Sequence, residues 1–257
     1  MLALIVALTA LGGVLSALAA SSFLVMTPAR RAQLLPHLVS FATGTLLGAA
    51  FLGLIPHALE ANGPGGAHSI GAALLAGILA FFLLEKFVLW RHCHDDPCEM
   101  HSPSHAARDA ASARLILVGD ALHNSIDGVL IAAAFMTDPR LGVVTTLAVF
   151  AHEIPQEVGD LAVLLNGGYT RRQALTLNLL VSLTSVVGAA LAYYALQAAL
   201  PVLPYALAFA AASFLYVAVA DLIPGLHRRV DIRGGVEQLA CIVAGVAVVW
   251  LTHQQMH

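Results

Sequence analysis

The chain alternates long apolar runs with short polar breaks. Eight runs are apolar enough to cross a bilayer, at 2–25, 38–60, 69–90, 114–137, 142–167, 173–198, 204–226 and 236–253. A helix that spans the hydrocarbon core needs roughly 20 mostly apolar residues. The breaks carry turn-forming and charged residues: "TPARR", "NGPGG", the polar stretch 91–113, "TDPR", "GGYTRR", "LPVLP" and "HRRVDIRGG". Unpaired backbone groups cannot face lipid, so runs of this length predict helices. The pattern predicts an all-α integral membrane protein with eight transmembrane helices, forming a single domain over 1–257.

Composition agrees. The 257 residues are 59% hydrophobic and only 11% charged, where a soluble domain carries about 25% charge. Mean hydropathy is +0.84. A net charge of −3 gives no reason to expect nucleic acid as a partner. The three cysteines (Cys93, Cys98 and Cys241) imply no disulfide framework. Residues 1–20 end in "SALAA", like a signal-peptide cleavage site, but no basic residue precedes the apolar run, so this stretch reads as the first span.

Basic residues set the orientation. Arg30, Arg31, Lys86, Arg91, Arg108, Arg114, Arg171, Arg172, Arg228, Arg229 and Arg233 fall on one side, against Arg140 alone on the other. The positive-inside rule then places both termini outside the cytoplasm. "FLGLIPHAL" in span 2 resembles "VADLIPGLH" in span 7, and those spans cross in opposite directions. The pair suggests an inverted repeat of spans 1–3 and 6–8 around spans 4–5, an arrangement common in transporters.

Polar chemistry is concentrated in spans 4 and 5. Span 4 holds "DALHNSIDG" and span 5 holds "HEIPQEVGD". At about 100° per residue, Asp120, His123, Asn124 and Asp127 share one face of the first helix. His152, Glu153, Gln156, Glu157 and Asp160 share one side of the second. The simplest packing turns the two stripes toward each other. Each intramembrane acid costs on the order of 3 kcal/mol at a helix centre. No Lys or Arg lies between Leu115 and Phe135 or between Leu141 and Tyr169, so protons, cations or water must offset the acids. Carboxylates interleaved with imidazoles suit a borderline divalent ion such as Zn²⁺. Pro155 removes the helical partner of the Ala151 carbonyl and favours a kink beside these residues.

"HNSIDG" followed by "HEIPQEVGD" resembles the paired signature of the ZIP family of divalent-metal transporters, His-Asn-x-x-Asp-Gly and His-Glu-x-Pro-His-Glu. "GTLLGAAFLGLIPHA", "FFLLEK", "LNLLVSLTSVVGA" and "SFLYVAVADLIP" extend the likeness over nearly the whole chain. The resemblance implies transport of divalent transition-metal ions toward the cytoplasm, with Zn²⁺ the leading substrate and Cd²⁺, Fe²⁺, Mn²⁺ or Co²⁺ as further candidates. It implies a binuclear site between helices 4 and 5. By motif position, His123, Asp127 and His152 would form one half with Gln156. Asn124 and Glu153 would belong to the other, with Glu153 bridging and Glu157 close by. Gln156 departs from the motif, which has His there, and offers only a neutral carbonyl oxygen. Gly53 stands where relatives often carry His.

Other polar residues admit two readings each. His57 is either an entrance ligand or a residue meeting interfacial water. Asn178 either reaches the second site or bonds a neighbouring helix. Asp221 is either an exit ligand or a partner of Arg228. Asp120 and Asp160 are expected at opposite ends of the metal path, because their helices run antiparallel. Glu85 and Lys86 read as interfacial anchors. The cytoplasmic stretch 91–113 carries His92, Cys93, His94, Cys98, His101 and His105 at spacings that match no folded zinc module. It reads as a metal-attracting segment or a polar linker.

The chain is not expected to be an enzyme. "HEIPQ" superficially matches the H-E-x-x-H of metalloproteases, but Gln156 replaces the second His and Pro155 interrupts the helix. A membrane metal sensor is the other alternative. The expected partners are divalent metal ions and the lipid bilayer of the plasma (inner) membrane, and a homodimer is compatible with this reading.

Overall fold

A computed structural model describes residues 1–63, 65–93, 105–227 and 232–255, and among them it is all helix, with no strand. The helices are α1 (Leu2–Ser22), α2 (Pro28–Gly48), α3 (Ile55–Ala61), α4 (Ala67–Cys93), α5 (His105–Thr137), α6 (Pro139–Asn166), α7 (Arg171–Ser182), α8 (Thr184–Ala198), α9 (Leu203–Tyr216), α10 (Ile223–Leu226) and α11 (Ile232–Gln255). Helical backbone therefore runs on into both ends of the stretch expected as the loop 91–113.

Sequence punctuation sets the helix starts. Thr27 caps α2 ahead of Pro28, and Asp138 caps α6 ahead of Pro139, its Oδ1 accepting from the Arg140 N–H at 2.7 Å. Thr170 and Gln173 form a reciprocal capping box on α7.

Seven helical stretches among the described residues are long and apolar enough to span a membrane. They correspond to the expected spans except the fifth. Helix α6 is absent from that set because His152, Glu153, Gln156, Glu157 and Asp160 lower its apolar content.

Two spans contain a wider turn. Ala49–Leu54 and Val217–Leu222 are π-helical, and they run directly into α3 and α10. Pro56 and Pro224 follow two residues after each segment. A proline cannot supply the N–H that closes the preceding α-turn, so the ladder widens there. Helix α6, by contrast, continues unbroken through Pro155. The expected sixth span is split at Leu183 into α7 and α8, and the Thr184 hydroxyl donates to the Ala121 carbonyl of α5 at 2.9 Å.

The helices pack as two groups. α1, α5, α6, α7 and α8 form one, while α2, α4, α9 and α11 form the other, with α6 also lying against α2. Glycines bring backbones together within each group. A Cβ on Gly44 would overlap the Ile242 carbonyl and one on Gly245 the Phe41 carbonyl, which fixes α2 on α11. A Cβ on Gly128 would overlap the Ser185 carbonyl and one on Gly188 the Ser125 carbonyl, which fixes α5 on α8. Without a hydrophobic drive between helices in lipid, close approach at small residues supplies the packing energy.

Candidate metal centre

Asp138 is the whole connection between α5 and α6. In a hairpin this tight, residues equally far from the turn lie side by side. His123 and Glu153 are each 15 positions from Asp138, and Asn124 and His152 each 14. At about 1.5 Å per residue they sit roughly 20 Å from the turn. The two polar stripes therefore meet at one level of the bundle.

Four side chains converge there. The Nε2 atoms of His123 and His152 are 3.2 Å apart. Asp127 Oδ2 lies 3.2 Å from His152 Nε2 and 3.7 Å from His123 Nε2. Glu153 Oε1 lies 3.6 Å from His123 Nε2 and 3.7 Å from His152 Nε2. All four ligand atoms fall within 4.8 Å of one another. Zinc bonds of about 2.1 Å to N and O give a tetrahedron with edges of about 3.4 Å. The five distances that involve an imidazole, 3.2–3.7 Å, lie close to that edge, so this donor set is compatible with a four-coordinate ion.

The surroundings favour a cation. His152 Nδ1 is 3.0 Å from the Ala148 carbonyl oxygen. Donating there leaves Nε2 unprotonated toward the cluster, the usual outer-shell arrangement for a ligating histidine. The His152 ring also meets Phe214 of α9, with centroids 6.1 Å apart. Both Glu153 carboxylate oxygens are buried without a hydrogen-bond partner among the described residues. Such groups are costly unless a proton, ion or water compensates them.

Two cavities adjoin the cluster. The larger, about 650 Å³, lies between the helix groups and is lined by His123, His152, Gln156, Asp120, Asp160 and Asp221 among others, with no Lys or Arg among the described residues. It runs toward the end of the molecule where α2 and α5 begin and α4 and α6 end. The smaller, about 10 Å³, is lined by Asn124, Glu153, Thr9, Thr146 and Ser185. That is room for one water-sized atom.

A family model described as "ZIP Zinc transporter" matches residues 1–110 and 91–253. The chain belongs to the ZIP family. It is similar to zinc transporter ZIP13 of Homo sapiens, 31% identical over 260 residues covering 84% of this chain and 70% of that protein. It is also similar to ZIP13 of Pongo abelii, 32% identical over 229 residues covering 84% and 66%, and to zinc transporter SLC39A7 of Mus musculus, 31% identical over 304 residues covering 86% and 63%. The chain thus spans about two thirds, or slightly less, of the length of the curated relatives it matches.

The remaining expected residues of this ZIP chain are distributed around the cluster. Gln156 lines the large cavity and donates its amide to Asp120 Oδ1 at 3.0 Å. Asn124 lines the small one and donates to the same oxygen at 3.0 Å. Glu157 stands apart from the four. Its Oε1 accepts from Ser16 of α1 at 3.0 Å and from Ser182 of α7 at 2.7 Å, fully buried. Asn178, one turn before Ser182, is buried with neither amide atom partnered among the described residues.

One expectation is corrected. Asp120 and Asp160 do not mark opposite ends of a path. They line the same cavity, because they lie 18 and 22 positions from the Asp138 turn and so share a level. In antiparallel helices joined by a tight turn, distance from the turn sets depth, whatever the chain direction.

His57 sits in α3 with Nδ1 2.9 Å from the Gly53 carbonyl oxygen and its ring 5.6 Å from that of His253 on α11. It is not part of the cluster. Asp221 reaches the cavity wall from the second π-helical segment. At Gly53 a Cβ would meet Leu141 Cδ1 at 2.9 Å, so a histidine there needs Leu141 to shift. His92 and Cys93 fall in the last turn of α4, and His105 begins α5. His94, Cys98 and His101 lie outside the described residues. Sequence reasoning missed Ser16, Ser182, Thr9 and Ser185. A serine or threonine in an apolar span carries no signal of its own, and only packing brings these to Glu157 and Glu153.

Proposed function

We propose that this chain carries divalent transition-metal ions, with Zn²⁺ as the leading substrate, across the plasma (inner) membrane toward the cytoplasm. The observation that carries the reading is the cluster of His123, Asp127, His152 and Glu153, whose mutual spacings fit a tetrahedral ion and which is set between helices of a membrane bundle. The names of the relatives, zinc transporters, support the choice of ion.

On this reading α6 is an eighth crossing, its acids offset by cargo rather than by Lys or Arg. Eleven basic residues against Arg140 support a cytoplasmic location for the end toward which the large cavity runs, with both termini on the other side. An ion held by the four residues then faces a cavity whose further wall bears Asp120, Asp160 and Asp221. Gln156 joins His123, Asp127 and His152 on the side of the large cavity, and Asn124 lines the small one with Glu153, which bridges the two halves of a two-ion centre. The inverted-repeat reading gains support from the matched π-helical turns, each running into a Leu-Ile-Pro. Such turns in opposite crossings suit two gates of one device.

A protease reading has little support, because the Gln156 amide is tied to Asp120 where a second histidine ligand would be needed. The deciding experiment is uptake of Zn²⁺ or Cd²⁺ by liposomes carrying the purified chain under an imposed gradient. Uptake that saturates supports the reading. Liposomes no more permeable than protein-free ones overturn it.

A further inference from the structure

Two amides at the metal centre hang from one carboxylate oxygen. Asp120 Oδ1 accepts the Asn124 Nδ2 at 3.0 Å from one turn further along α5. It also accepts the Gln156 Nε2 at 3.0 Å from α6. The Asn124 Nδ2 reaches the Asp120 carbonyl as well, at 3.2 Å. Asp120 is itself buried, while Gln156 is half-buried on the wall of the large cavity.

An amide has a donating end and an accepting end, and only the oxygen can ligate a cation. A side chain free to flip presents its NH₂ to the ion part of the time, which repels it. We propose that Asp120 is a positioning residue that sets both amides, holding their nitrogens so that the oxygens of Gln156 and Asn124 are the ends left for the ion. Gln156 lines the large cavity beside His123 and His152, and Asn124 lines the small one beside Glu153. One carboxylate thus orients the neutral lining of both sides of the centre. The role matters most at Gln156, where an imidazole would ligate through a ring nitrogen and would not depend on an amide flip. The inference rests on the transport reading above.

The test is calorimetric titration of the full chain in detergent with Zn²⁺ alone, on Asp120→Ala, Asp120→Asn, Gln156→Ala and the Asp120→Ala/Gln156→Ala pair. Loss of an outer-shell partner typically weakens metal binding roughly 10- to 100-fold. That loss is expected for Asp120→Ala. Asp120→Asn keeps a carbonyl oxygen in place for both amides and should recover most of it. The double variant should lose less than the two single losses multiplied together, because with Gln156 gone Asp120 acts only through Asn124. Asparagine failing to rescue would assign the effect to the Asp120 charge and overturn the proposal. So would losses that multiply in full, or an Asp120→Ala chain that binds as tightly as wild type. A wild-type chain that binds no Zn²⁺ overturns the transport reading first, and this one with it. If Asp120→Ala does not fold, Asp120→Ser takes its place in the same cycle.

Discussion

The Nε2 atoms of His123 and His152 face each other at 3.2 Å across the α5–α6 seam, with Asp127 Oδ2 3.2 Å from the second of them. Two imidazole nitrogens at that separation, with carboxylate oxygens beside them and no Lys or Arg lining the adjoining cavity among the described residues, lower the free energy of a cation placed between them. Each ligand contributes to one shared ion, so the residues should fail together. His152→Ala, and separately His123→Ala with Glu153→Ala, should reduce Zn²⁺ uptake into liposomes to background. Uptake at the wild-type rate in the double variant would place the ion elsewhere.

Gln156 is where this chain leaves its family's motif. Zinc favours an imidazole nitrogen over a neutral carbonyl oxygen. Gln156→His should therefore tighten Zn²⁺ binding by about tenfold, or about 1.4 kcal/mol. The ring can still donate to Asp120 through its other nitrogen. Calorimetry returning the wild-type affinity would remove position 156 from the ion's ligands.

Metal binding at this cluster should depend on pH. Histidines bind a metal only when neutral, and carboxylates only when ionised, so an ion entering the cluster displaces protons. Acidification favours the proton-bound form, and apparent Zn²⁺ affinity should fall as pH drops from about 7.5 to about 5.5, the range in which histidines commonly titrate. Titration of binding in two buffers of different ionisation enthalpy measures the protons released. A value of zero at every pH would contradict the ligand set.

The glycine contacts predict stability effects far from the metal. Gly128→Ala and Gly188→Ala each push a methyl into a carbonyl of the facing helix, at Ser185 and Ser125 respectively. Each should destabilise the protein by about 1–3 kcal/mol, as overpacking does. The melting temperature in detergent reads this directly. Gly159→Ala, where a Cβ would meet nothing within 4 Å, is the control and should not lower it, since alanine favours a helix interior over glycine.

Much of the site was legible in the chain itself. The i, i+3 and i+4 spacings of Asp120, His123, Asn124 and Asp127 place them on one helix face, and the same holds for His152 through Asp160, so two facing stripes followed from periodicity. What periodicity lacks is depth. The antiparallel run of the two helices suggested opposite ends for Asp120 and Asp160, and the one-residue turn at Asp138 puts them together. Periodicity also grouped Glu157 with the ligands, whereas its carboxylate is tied to Ser16 and Ser182. The missing N–H of Pro155 suggested a bend there, whereas the widened turns precede Pro56 and Pro224.

The sequence by itself determined that this is a membrane bundle and which helix faces carry the polar chemistry. Those properties depend on local hydropathy and on a fixed 3.6-residue period, both written residue by residue. Only the tertiary structure decided which four of the nine stripe residues close on one point. It also decided that Asp120 holds two amides, and that the helices widen ahead of Pro56 and Pro224 while α6 runs unbroken through Pro155. Those outcomes depend on turn length, helix rotation and neighbours distant in the chain, which no local pattern encodes.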